Sequence, residues 1–257
     1  MPRIAELTSL WRRTLIAWPD GRRDTTTAVR WLQGPQLYVD LRQPADRPSF
    51  ARVHGLRDLT REQLEWLARQ EGFAGELTCD GRYFEWRRDI DFQPPAPLPD
   101  SGSLRFEGEL MIEEGRDLPY IEHWRREVQP MDPVGALRLR ERESERTAIL
   151  VRVGTRFMYA RARQAPLPQG GRLLERVHAA ASIGAAQDFV DCEISFGSIG
   201  AGVWRIEHSS LPFREGAMMT PLWIGSEPMR VRIEAVAADG GSLLGDWDVE
   251  RAEGAPL

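Results

Sequence analysis

Apolar and polar residues alternate one by one along most of this chain, in short runs broken by Gly, Pro and Asp, which is the pattern of half-buried antiparallel strands. The alternation predicts strands near 10–18, 26–33, 36–42, 74–79, 82–92, 104–112, 119–128, 135–142, 146–153, 156–163, 188–196, 202–209, 229–236 and 243–251. Several turns are explicit, in "QGPQ", "CDGR" and "RVGTRF". Helical spacing appears in "LTREQLEWLARQEG", where Thr60 and Gln63 make a capping box, Leu64, Leu67 and Ala68 form a stripe, and Gly72 supplies a stop, for about three turns. "GRLLERVHAAAS" around 171–182 is a second helix candidate, and the proline-rich "QPPAPLPDSGS" reads as a loop at one end of a barrel or sheet.

The order of elements repeats. A hairpin "AVRWLQGPQLYVDLR", a helix, "FAGELTCDGRYFEWRRDI", "LRFEGELMI" and "YIEHWRRE" are followed by "AILVRVGTRFMYARAR", a helix, "FVDCEISFGSIGAGVWRIEH", "MRVRIEAV" and "LLGDWDVER". Tyr38 pairs with Tyr159, Glu76 with Glu193, Trp86 with Trp204 and Trp124 with Trp247, at offsets of 121, 117, 118 and 123. The fold expected is all-β: two similar antiparallel barrel units from an internal duplication, residues 1–117 and 118–257, each with one short helix. The Trp124 strand either closes the first unit or opens the second. A barrel of about eight strands is filled by its own side chains or holds one small ligand.

Composition narrows the function. A formal charge of −5 argues against a nucleic-acid partner. All 34 basic residues are Arg, so no lysine is available for a Schiff base or a phosphate-binding loop. Cys79 and Cys192 form no Cys-x-x-Cys pair, so neither a zinc cage nor a disulfide framework is read, and a reducing, cytoplasmic setting is expected. No apolar run approaches the ~20 residues of a membrane span, and "MPRIAELTSLWRR" lacks the apolar core of a signal peptide.

The strand "YFEWRRDIDF" places Phe84, Trp86, Arg88, Ile90 and Phe92 on one face, so Arg88 needs either a buried partner or a place at a barrel mouth. In the second unit Trp204, Ile206 and His208 share the corresponding face, and His208 is the best single candidate for a haem or metal ligand, though a lone His at a strand end is more often surface or hydrogen-bonded structure. His54, His123, His178 and His208 show no metal-binding spacing, and no metal or other cofactor is expected. "FGSIGAG" opens no helix and reads as a hairpin turn, "RLRERESERT" as a solvated hairpin face, and "MM" as a core or loop filler. Glu76 and Glu193 fall in separate units, too far apart for a glycosidase pair. The strand "PQLYVDLRQP" alternates Leu37, Val39 and Leu41 with Tyr38, Asp40 and Arg42. Because "FMYARAR" sets Arg161 against Asp40, the polar face reads as solvent-facing; were it inward, Asp40 would be the natural partner of Arg88.

The segments "DTTTAVRWLQGPQLYVDLRQP" (24–44), "GELTCDGRYFEWRRDIDF" (75–92) and "LLGDWDVER" (243–251) resemble the lipocalin-like, calycin-type two-barrel proteins of bacteria and fungi that have no assigned activity. The Gly-x-Trp of secreted lipocalins is absent; "SLWRR" keeps the Trp alone. The resemblance implies a barrel fold and a small apolar or amphipathic ligand, for which Tyr38, Asp40, Arg42, Trp86, Arg88, Trp204 and His208 are the candidate lining residues. The alternatives are a protein-interaction module with filled barrels, a barrel enzyme such as an isomerase or hydratase, for which no nucleophile–base pair is present, and a haem-binding barrel.

Overall fold

A computed structural model describes residues 1–226, 229–236 and 240–257. A short helix α1 (Ile4–Leu7) leads into β1 (Ser9–Ala17), β2 (Arg23–Asp24), β3 (Ala28–Gln33) and β4 (Leu37–Gln43). Helix α2 (Arg61–Leu67) follows, then β5 (Glu71–Cys79), β6 (Phe84–Asp91), β7 (Ser101–Glu107), β8 (Leu110–Gly115) and β9 (Ile121–Arg126). These strands form one antiparallel sheet in the order β2-β1-β3-β4-β5-β6-β7-β8-β9, and β9 also pairs with β1, so eight of them close a barrel. The Trp124 strand is therefore the one that closes the first sheet.

The second sheet repeats the plan with β10 (Val134–Glu141), β11 (Thr147–Val153), β12 (Arg156–Arg161), helices α3 (Leu173–Ala179) and α4 (Ile183–Phe189), β13 (Glu193–Gly200), β14 (Val203–Ser209), β15 (Leu222–Ser226), β16 (Met229–Val236) and β17 (Ser242–Gly254). Its order is β14-β13-β12-β11-β10-β17-β16-β15. Beside β14 the residues preceding β15 take the place of a strand: the Ile206 N–H donates to the Ala217 carbonyl and the Met219 N–H to the Trp204 carbonyl. Two eight-stranded antiparallel units with few, short helices thus match the expected fold class.

Local corrections have local causes. The Thr60 and Gln63 capping box is present, but α2 runs only seven residues, and Gly72 stops no helix; it lies inside β5, where an added Cβ would stand 2.8 Å from Ile194 and 2.9 Å from the Asp40 carbonyl. The strand expected over 104–112 is a hairpin, turned at Gly108 with φ +61°. The stretch 188–196 begins inside α4, and β2 and β15 were not anticipated.

The largest apolar cluster lies between the two units. Leu32, Leu37, Val39 and Leu41 project from the outside of the first barrel onto Ile149, Val151, Met158, Ala160, Ile194 and Phe196 of the second, joined by Leu64, Leu67, Leu173 and Val177 from the helices. The lumen of the first barrel holds a separate cluster that includes Trp11, Trp31, Tyr38, Phe73, Leu77, Phe84, Trp86 and Trp124. The second unit encloses Leu137, Leu150, Phe157, Tyr159, Trp204, Ile206 and Trp247. β4 is therefore buried on both faces. Leu37, Val39 and Leu41 meet the other unit, while Tyr38 and Asp40, only 0% and 2% exposed, point into the lumen. The solvent-facing reading of Tyr38, Asp40 and Arg42 is overturned.

A β-bulge reorganises β6. Gly75 lies opposite Arg88 and Ala74 opposite Ile90, so Asp89 is an extra residue. Phe84, Trp86 and Arg88 share the inner face as expected, but Ile90 and Phe92 are switched outward into the inter-unit cluster. Gly75 permits this: a Cβ there would lie 1.8 Å from the Arg87 carbonyl oxygen. The second unit has a bulge at the same place, with Gly197 opposite Ile206, a Cβ 2.1 Å from the Arg205 carbonyl oxygen, and His208 switched away from Trp204 and Ile206.

The matching bulges and hairpins also correct the alignment of the repeat. Gln33 faces Tyr38 across one hairpin and Arg152 faces Phe157 across the other, so Tyr38 corresponds to Phe157, Asp40 to Tyr159 and Arg42 to Arg161. Arg42 faces Glu71 and Arg161 faces Glu193, so the counterpart of Glu193 is Glu71 rather than Glu76. Leu77 opposite Trp86 and Ile199 opposite Trp204 keep the Trp86 and Trp204 match.

Candidate functional site

The lumen of the first barrel carries charge among its aromatic rings. Asp40 Oδ1 accepts from Arg42 Nε at 2.8 Å, Arg42 lies 3.7 Å from Glu122, and Glu122 accepts from Arg13 at 2.5 Å. Glu113 accepts from the Trp124 indole at 3.1 Å and from the Tyr120 hydroxyl at 2.8 Å. Burial, opposed by Arg42, raises Asp40 to about 6, and burial together with the neighbouring Glu122 charge raises Glu113 well above the ordinary carboxylate range. The Phe73 ring has guanidinium groups near it from Arg42 at 4.9 Å and Arg88 at 3.6 Å.

These side chains fill the barrel. The void among Trp31, Asp40, Trp86, Asp100, Glu113 and Trp124 measures about 10 Å³, room for one water at most. In the second unit Glu193 and Arg214, 1% and 2% exposed at their side chains, pair at 2.9 Å, and Ser195 donates to Glu193 at 2.9 Å.

A sizeable cavity lies outside, at the mouth of the first barrel, larger than the hollow of about 350 Å³ between Trp66, Arg69, Leu174 and His178. It is a cleft of about 590 Å³, bounded by β6, by the proline-rich connection after it, by Leu118 and Tyr120, and on the far side by the turn at 144–147 and by 162–167 of the second unit. Its apolar surface comes from Trp86, Pro95, Leu98, Pro99, Leu118 and Leu167. Arg88 stands in its wall, 27% exposed at the side chain, bound to Asp91 at 2.9 Å and to Asp100 at 2.5 Å. Burial dominates at Asp91, whose carboxyl is pushed upward against the pull of Arg88. The deep end is fixed by Arg163, only 8% exposed, which donates to the carbonyls of Asp91, Phe92 and Phe189 at 2.7–3.1 Å and so ties β6 to the second unit.

The expected site residues thus scatter. Trp86 and Arg88 line the cleft. Tyr38, Asp40 and Arg42 lie deeper, in the filled lumen; the partners of Arg88 are Asp91 and Asp100, and that of Asp40 is Arg42. Trp204 is core of the second unit, its ring tilted 46° against that of Phe157 with 4.9 Å between ring centres. His208 sits at the junction of the units, its Nε2 3.1 Å from an Arg30 nitrogen and its ring stacked on Phe196; burial and Arg30 lower its pKa. Glu76 faces outward beside Arg251 at 3.3 Å. The sequence reading missed Asp91, Asp100, Tyr120 and Arg163. The one signal for the cleft was the proline-rich stretch, which a barrel end does not need at that length.

No family model and no curated protein matches the chain. Among solved structures it is similar to the crystal structure of an uncharacterised protein of Saccharomyces cerevisiae, YLR301w, with a TM-score of 0.52 and 10% sequence identity over 95% of this chain and 98% of that one. At that identity the likeness concerns the fold, and an antiparallel barrel fold agrees with what the lipocalin-like resemblance implied. Among the described residues no helix is long and apolar enough to cross a membrane.

Proposed function

We propose that this is a binding protein with its site in the cleft between the two units. The carrying observation is the contrast of volumes, about 590 Å³ in the cleft against about 10 Å³ in the first lumen. The first figure lies within the range of ordinary ligand sites, while the second admits no ligand. The ligand we propose is amphipathic: an apolar body against Leu98, Leu118, Leu167 and the prolines, with a polar end near Arg88, Asp100 and Tyr120. This keeps the ligand class implied by the lipocalin-like resemblance and moves it from the lumen to the mouth. The two sheets would be the two duplicated units, divided between Arg126 and Val134, and the free thiols of Cys79 and Cys192 accord with a reducing compartment such as the cytoplasm. Haem held by His208 is not supported, because the ring nitrogen already engages Arg30.

The test uses Nile red, an uncharged amphipathic dye, followed by its fluorescence. Leu98 and Leu118 are 46% and 57% exposed, so Leu98→Arg and Leu118→Arg spare the fold and place a charge in the cleft. Binding by the parent protein and a loss of tenfold or more in both variants is expected. Equal binding by all three would locate the dye elsewhere and overturn the proposal.

A further inference from the structure

The wall of the cleft is the side of a strand that has lost its neighbour. β7 pairs with β6 only at Phe84 and Glu85, and the Trp86 N–H donates to the Asp100 carbonyl at 2.9 Å; beyond it, among the described residues, no strand pairs with β6 on that side. The cause lies in the connecting segment. Pro94, Pro95, Pro97 and Pro99 have no N–H to offer, so this stretch passes β6 without forming a ladder.

The direction of the main chain follows from alternation. Trp86 directs its N–H to the β7 side, whereas the Phe92 N–H donates to Gly72 on the β5 side. With the extra residue at Asp89, alternation turns both main-chain groups of Arg88 and the N–H of Asp91 toward the cleft, while the Asp91 carbonyl is taken by Arg163, which closes the edge there. From Arg88 to Asp91 the strand offers about 10 Å of edge, three steps at ~3.3 Å per residue.

We infer that the cleft receives an extended, uncharged and apolar segment of another polypeptide, laid along β6 from Arg88 to Asp91 as an added strand. This inference rests on the cleft being the binding site. Addition of a strand takes affinity from main-chain hydrogen bonds and selectivity from pockets for alternate side chains. The charges decide the kind of segment. Each charged group lining the cleft already has a partner: Arg87 with Glu85, Arg88 with Asp91 and Asp100, Asp89 with Arg138, Arg146 with Asp191, Glu145 with Arg140, and Arg163 with three carbonyls. No counter-charge is spare, so a charged segment would lose hydration without compensation. An apolar one has Leu98, Leu118 and Leu167 to cover.

The experiment screens the full-length protein against two libraries of acetylated, amidated heptapeptides. One is randomised over Ala, Val, Ile, Leu, Thr, Ser, Phe and Tyr, and the other also contains Asp, Glu, Lys and Arg. Binders from the first library are expected, weakened at least tenfold by N-methylation at alternate residues in one of the two registers, and displaced by Nile red. Binders drawn only from the charged library, or binding indifferent to N-methylation in both registers, would overturn the inference. Should Nile red bind in a manner sensitive to Leu98→Arg while no peptide binds, the strand-addition idea fails and the cleft as a ligand site stands. If neither binds, both fall.

Discussion

Replacing Asp40 with Asn keeps an oxygen that can accept from Arg42 Nε, which lies 2.8 Å from Oδ1, and removes the ability to ionise. In the folded protein burial raises the Asp40 pKa from 3.8 to about 6. A carboxyl whose folded pKa exceeds its unfolded one favours the fold when protonated. Its contribution is fully present below pH 3.8 and is lost as pH rises through 6. A shift of about 2 units corresponds to roughly 3 kcal/mol at 1.36 kcal/mol per unit. Urea unfolding of both proteins between pH 4 and 8 isolates this group, because other titrations cancel in the difference. The stability of Asp40→Asn relative to the parent should climb by about 2.4 kcal/mol across that range, since part of the effect is already expressed at pH 4, and most of the climb falls below pH 6.5. A difference that stays flat within about 1 kcal/mol would mean that Asp40 titrates as a hydrated carboxyl. The first lumen would then be wet, and the reasoning that sends the ligand to the cleft would lose its support.

Gly75→Ala forces the Arg87 carbonyl away from its place and with it the 3.3 Å bond from the Tyr38 hydroxyl; a loss of about 2–5 kcal/mol in denaturant unfolding is expected. Gly200→Ala, where nothing lies within 4 Å of the new Cβ, should change stability by less than ~1 kcal/mol, and equal effects of the two would refute the bulge argument. Arg163→Met leaves the carbonyls of Asp91, Phe92 and Phe189 without their buried donor and should cost about 3 kcal/mol by calorimetry; a cost below 1 would mean that this clamp is already hydrated.

Most of the strands and the plan of two antiparallel units were legible because alternation and turn chemistry are local. The facing of β4 was not. Alternation separates two faces but names neither, and the usual rule that the apolar face is core presumes that the other meets water. Here Val39 meets a second unit and Asp40 meets a lumen, so both are core. Likewise the inner face of β6 could be followed from Phe84 to Arg88 and no further, because an extra residue inverts the alternation without a mark of its own beyond Gly75 on the facing strand. Aligning Tyr38 with Tyr159 failed for a related reason: hairpin geometry fixes the register, and chemical likeness two residues away misled. At the site, Trp86 and Arg88 were found from their strand, whereas Asp100 and Arg163 reach the cleft through long connections whose course no periodicity encodes.

The double burial of β4 bears on how this chain can change over generations. From Leu37 to Leu41 each position answers to one of two crowded neighbourhoods, so a substitution tolerated by the lumen still leaves its neighbours in sequence bound by the opposite wall. Genetic drift is thereby narrowed along the whole strand. The same arrangement makes each unit depend on the other: the first barrel alone would lay bare Leu32, Leu37, Val39 and Leu41 together, a sticky surface prone to aggregation.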